Sequence, residues 1–110
     1  MNEVQVLQLA KEASIAKSLA IWERDGKRDC GSCGGAIMYL DKRSKFAKVA
    51  VAEGYADNSG GGDISVNRFI GEGIRSQNAD IPQSAMREFK RVLEENGYGK
   101  AIKKFWTYVD

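Results

Sequence analysis

Cys30 and Cys33 bracket Gly31-Ser32, and two thiolates at that spacing can grip a metal or cycle with a disulfide. A structural zinc asks for four ligands, and the chain has only these two cysteines and no histidine. A four-thiolate centre therefore requires Cys30 and Cys33 from each of two chains, and no metal is expected within one chain. A redox pair would follow a strand and open a helix, where the helix N-terminus lowers a thiol pKa. This pair precedes an apolar run and sits among glycines, so a plain small-residue loop is the leading reading. The missing histidine also removes Ser–His–Asp and Cys–His nucleophiles and the imidazole base. Glu94-Glu95 lies beside a helix end on a charged face, not as an acid–base couple. Catalysis is not expected, and no cofactor is implied.

The remaining chemistry-bearing residues are suited to holding an anion. Gly60-Gly61-Gly62 can let backbone N–H groups approach a phosphate, although the Walker spacing is absent. Arg43, Arg68 and Arg75 offer planar forks for a phosphate or carboxylate, with Lys42 and Lys45 as point charges. Gln77 and Asn78 can read a base edge or a ribose. Trp106 and Tyr108 can stack on a base or serve an interface. The candidate ligand set is Arg43, Gly61, Gly62, Arg68, Arg75, Gln77 and Trp106. Arg68 stands out because it interrupts the apolar alternation of Ile64, Val66 and Ile70. It must be paired, snorkel, or point at a ligand.

The elements that position these residues follow from periodicity. Residues 3–24 read as a helix, with Val6, Leu9, Ala13, Ala16 and Ala20 on one face and Ile15, Leu19 and Trp22 widening it. Asp25-Gly26 ends it. The alanines leave room for close approach, which suits residues 1–26 to oligomerisation. Ala36–Leu40 reads as a strand apolar on both faces. Ser44 caps a helix over 44–53, with Phe46, Val49 and Ala50 on one face; a strand pairing with 36–40 is the competing reading. A half-buried strand over Ile64–Ile70 follows the glycine loop. Asp80 and Gln83 look like a capping box that opens a helix around Pro82, ending at Asn96-Gly97. The last strand sets Phe105, Thr107 and Val109 against Trp106 and Tyr108.

The order is an N-terminal helix followed by β-α-β-α-β, one domain over 1–110 with an α/β core over 34–110. The expected fold is α+β, or a small α/β, with helices on a short three-stranded sheet. Strands joined through helices are expected to run parallel, with a right-handed crossover. Apolar residues on both faces of the last strand imply a homo-oligomer. Seventeen basic and fifteen acidic residues leave a net charge of +2, too little to demand nucleic acid or an anionic membrane. No membrane partner is expected. The N-terminus lacks the basic start and apolar core of a signal peptide, so a cytoplasmic location is the expectation.

From Gly34 onward the chain resembles a family of small, uncharacterised bacteriophage proteins. Cys33-Gly34-Gly35-Ala36 with its strand matches a Cys-Gly-x-Ala pattern. Ser44-Lys45-Phe46-Ala47-Lys48 matches a Ser-x-Phe-Ala-Lys helix start, and Gly61-Gly62 a Gly-Gly before a strand. Gln77, then Phe89, Val92, Leu93 and Gly97, match Gln…Phe-x-x-Val-Leu…Gly. Ile64-Ser65-Val66 stands where that family carries a Trp, and Cys30 lies outside the pattern. The resemblance implies a phage accessory protein acting in the host bacterial cell. With the anion-holding residues, it points to a non-enzymatic binder that sequesters a small nucleotide-like host immune signal. A nucleic-acid- or protein-binding phage regulator is the second reading, and a zinc-stabilised intersubunit interaction protein the third.

Overall fold

A computed structural model describes residues 1–29, 31–58 and 62–110. The elements are α1 (Glu3–Arg24), β1 (Gly34–Leu40), α2 (Lys45–Ala52), β2 (Ala56–Asp57), β3 (Ile64–Val66), α3 (Asp80–Glu95), one 3-10 turn (Gly99–Ala101) and β4 (Ile102–Val109). The fold is α+β. Its four strands lie in the order β2-β3-β1-β4, and each neighbouring pair is antiparallel.

Both helical connections nonetheless join strands of the same direction. β1 and β2 run parallel across α2, but β3 lies between them. β3 and β4 run parallel across α3, but β1 lies between them. This is the split β-α-β arrangement, repeated twice and interleaved. The expected parallel ladders are therefore replaced by antiparallel ones. The fourth strand, β2, is too short to carry a sequence signal and exists because Ala56 and Asp57 meet Val66 and Ser65.

The core lies between the sheet and the helices. Met38 and Leu40 of β1 meet Phe46, Ala47 and Ala50 of α2, Phe89, Val92 and Leu93 of α3, and Val6, Leu7 and Ala10 of α1. The segment expected over 44–53 is the helix Lys45–Ala52, because Ser44 Oγ accepts from Ala47 N at 3.1 Å and Phe46, Ala47 and Ala50 share the buried face. The expected face of α1 is corrected. Its buried stripe is Val6, Leu7, Ala10, Ser14, Ser18 and Ile21, while Leu9, Ala16, Leu19 and Ala20 are exposed. Apolar residues ring this helix, so periodicity alone could not choose a side. On the buried side, the Ser18 hydroxyl accepts from Gly71 N at 2.8 Å and donates to Ile15 O at 2.7 Å.

Two further expectations change. The strand expected over 64–70 ends at Val66. Only Ile64 and Ser65 have partners on β1, after which the chain leaves the sheet and Phe69 stacks on Phe89 at 5.9 Å. Asp80 does not cap α3. It is the first helical residue, and its N–H donates to Asn78 Oδ1 at 3.1 Å. Gln83 instead donates through Nε2 to Tyr108 O at 2.9 Å, fastening α3 to β4.

Candidate functional site

A cleft of about 330 Å³ opens where β1 starts and α3 starts. Three segments meet there because of the antiparallel register. β3 runs from its pairing with Leu40 back toward the first residues of β1, so the chain after Val66 delivers Arg68 and Ile70 to that end. Cys33 and Gly34 enter from β1, and Asp110 follows β4, its N–H donating to Cys33 O at 2.8 Å. Ser76, Gln77 and Asn78 form the third wall, with Ile81 and Pro82 as apolar surface at the head of α3.

That third wall is held from below. Asp29 Oδ1 accepts from Ser76 Oγ at 3.1 Å and from Gln77 N at 2.9 Å. Buried Asn78 donates through Nδ2 to Asp25 Oδ2 at 2.9 Å, and Ala79 N donates to Ser32 O at 2.7 Å. Across the wall, Arg24 Nη2 meets Asp80 Oδ2 at 2.8 Å. That hydrogen bond, ahead of the opposing effect of burial, holds the Asp80 carboxyl below its ordinary value of 3.8. The end of α1 and the start of α3 are thereby tied together. The first N–H groups of α3 are already engaged: Asp80 N by Asn78 Oδ1 and Ile81 N by Asn78 O, and Pro82 has none. The helix terminus therefore offers an incoming anion little, and the side chains must supply recognition.

Those side chains are few and distinct. Arg68 is exposed, lines the cleft, and has no hydrogen bond or ion pair with any described residue. The Cys33 thiol donates to Gln77 Oε1 at 2.9 Å, which leaves the Gln77 amide nitrogen free to donate outward. Gln77 cannot accept the thiol proton, so the contact orients both groups without activating the sulfur. Asp110 carries the opposite charge on the other wall. Among the described residues, no three His, Cys, Asp or Glu side chains converge as a metal site. Cys30 lies outside the described residues.

The residues expected to act together are separated. Arg68 and Gln77 line this cleft. Arg75 is exposed, two residues from Gln77, and is not part of the lining. Arg43 lies beyond the far end of β1, where its backbone N–H and guanidinium bond Asp41 at 3.0 and 3.3 Å. Gly62 precedes β3 at that same far end, and Gly61 lies outside the described residues. A second cleft there, about 340 Å³, is lined by Lys42 and Lys48. Trp106 belongs to neither cleft. It pairs with Ile37 midway along the edge strand β4, 5.7 Å from the Tyr39 ring, on the face turned from the helices. Cys33, Ser76 and Asp110 line the cleft without having been expected there, and Asn78, expected to read a base or ribose edge, is buried with its amide bonded to Asp25 and Asp80 N. Only the run Ser76-Gln77-Asn78, polar and just before a helix, offered a signal for them.

No protein-family model, curated protein or solved structure matches the chain. No described helix is long and apolar enough to cross a membrane.

Proposed function

We propose that this chain is a non-catalytic binding protein that holds one small, weakly anionic, nucleotide-like ligand in the cleft at the head of α3. The observation that carries the reading is Arg68, a guanidinium lining the cleft with no partner among the described residues, in the same cleft as the amide of Gln77. A planar fork suits a phosphate or carboxylate, and the amide suits a base or ribose edge. Ile70, Ile81 and Pro82 supply apolar surface for a ring. The volume lies at the lower end of the range for ligand sites, which favours one small molecule. Arg68 is the one Lys or Arg among the described residues lining the cleft, with Asp110 of opposite charge, which favours a ligand of low charge. The resemblance to phage proteins supplies the biological setting, sequestration of a host signalling nucleotide.

Isothermal titration with mononucleotides, cyclic dinucleotides and ADP-ribose tests this. Binding that weakens at least about ten-fold in Arg68→Ala and in Gln77→Ala is the expected result, a loss of at least about 1.4 kcal/mol. Arg43→Ala should bind as the parent does. Mass spectrometry of the recovered ligand should show no change. Failure of the folded protein to bind any of these molecules overturns the proposal, as does turnover of the ligand.

A further inference from the structure

β4 is an edge strand of eight residues, with β1 on one side and no strand among the described residues on the other. Its ladder with β1 is regular from Gly34–Val109 to Tyr39–Lys104. Asp110 N bonds Cys33 O, so the alternate residues Phe105, Thr107 and Val109 turn their N–H and C=O groups to the open side. Such a row is a template for another strand. The side chains around it are poorly covered: Trp106 is 42%, Tyr108 43% and Val109 62% exposed.

We propose that a second copy of this chain pairs with this edge, β4 against β4 about a two-fold axis at Thr107, joining two sheets into one of eight strands. The register follows from the side chains. Keeping the helix-facing sides of both sheets together requires residues of like parity to oppose one another. Of those registers, only the one centred on Thr107 sets Lys104 opposite Asp110 of the other copy. Neither has an ion-pair partner within its own chain among the described residues. The same register sets Trp106 opposite Tyr108 and Phe105 opposite Val109, cross-strand pairs that stabilise antiparallel sheets. The pairs Phe105–Val109, Thr107–Thr107 and Val109–Phe105 use the outward backbone groups. Lysines on an edge usually repel a second strand. Here they stand at one end and an aspartate at the other, so antiparallel pairing brings unlike charges together. Asp110 also lines the cleft, and the second copy would bring a lysine beside it.

Sedimentation velocity of the full chain across micromolar concentrations should show a monomer–dimer equilibrium. Thr107→Pro removes an outward N–H but none donated to β1, and should yield a folded monomer by circular dichroism. Lys104→Asp and Asp110→Lys should each weaken the dimer at least about ten-fold, and the double variant should recover it. With both native cysteines replaced by serine, Thr107→Cys should cross-link to a covalent dimer on mild oxidation. A chain that stays monomeric overturns the proposal. So does a dimer broken by Leu9→Lys on α1 and not by the β4 variants, or a monomer whose Trp106 fluorescence, read in a Trp22→Phe background, is quenched by a single-stranded oligonucleotide. None of these readouts depends on the nucleotide-like ligand, so the two proposals fail separately.

Discussion

Ser14 and Ser18 occupy the buried side of α1, both about fully enclosed, yet they do different things. Ser14 Oγ donates to Ala10 O at 2.9 Å, a carbonyl that the helix already uses. Ser18 Oγ accepts from Gly71 N, which bonds no other acceptor among the described residues. Ser14→Ala should therefore cost about 0.5 kcal/mol or less, whereas Ser18→Ala leaves a buried N–H unpaired and should cost about 1–3 kcal/mol. Urea unfolding of the two variants checks the contrast. Asn78 is the corresponding residue at the cleft. Asn78→Ala removes its bonds to Asp25 and to Asp80 N. It should destabilise by about 2 kcal/mol and loosen the wall that presents Gln77.

At the scale of elements, α3 is joined to α1 by Arg24–Asp80 and carries its own Glu88–Arg91 pair at 2.8 Å. The hydrogen bonds from Arg91 keep Glu88 below its ordinary 4.5, and the one from Arg24 keeps Asp80 below 3.8. Asp41 is lowered in the same way by the backbone N–H of Arg43 and then by its guanidinium. A depressed folded pKa gives stability that is complete above the unfolded value and is lost as pH falls through the folded one. Stability should thus begin to fall as the pH drops below about 4.5 and keep falling below 3.8. Asp80→Asn should lower stability at neutral pH by less than about 1 kcal/mol, since the pair is largely exposed. The difference should shrink as the pH falls below 3.8 and Asp80 takes up its proton. Thermal melts across acid pH measure both. The β1–β4 ladder carries a different constraint. A Cβ on Gly34 would collide with Tyr108 O and Val109 Cα, both backbone atoms. Gly34→Ala should cost about 1–3 kcal/mol or more, because the strands must part.

At the scale of the whole molecule, the chemistry divides between the two ends of the sheet. Arg68 and Gln77 share the end where β1 begins, and Arg43 and Gly62 the end where it stops. A ligand in the first cleft should be insensitive to Arg43 and Lys42 and sensitive to Arg68, which parallel titrations of alanine variants would show. If β4 joins two copies, the melting temperature should rise with protein concentration, as mass action requires of any associating native state. Thr107→Pro should abolish that dependence. The partner's lysine beside Asp110 would also relieve the negative charge at the cleft, so an anionic ligand should bind the dimer more tightly than the Thr107→Pro monomer. Titration of both forms with the same nucleotide tests that linkage.

Local signals were enough for much of this architecture. The helix expected over 3–24 is α1, the cap at Ser44 is made, and Asn96-Gly97 ends α3, because capping and turn chemistry act over three or four residues. The α+β class was legible for the same reason. Strand order was not, since β3 enters between β1 and β2 through pairing with Tyr39 and Leu40, more than twenty positions away. The buried side of α1 was not legible either, because apolar residues ring it and the partner of buried Ser18 is a distant N–H at Gly71. The candidate site divides along the same line. Arg68 and Gln77 were recognisable as residue types suited to an anion and an amide edge. That they meet, and that Arg43 and Trp106 stay away, depended on an antiparallel register that carries one end of each strand to one end of the sheet.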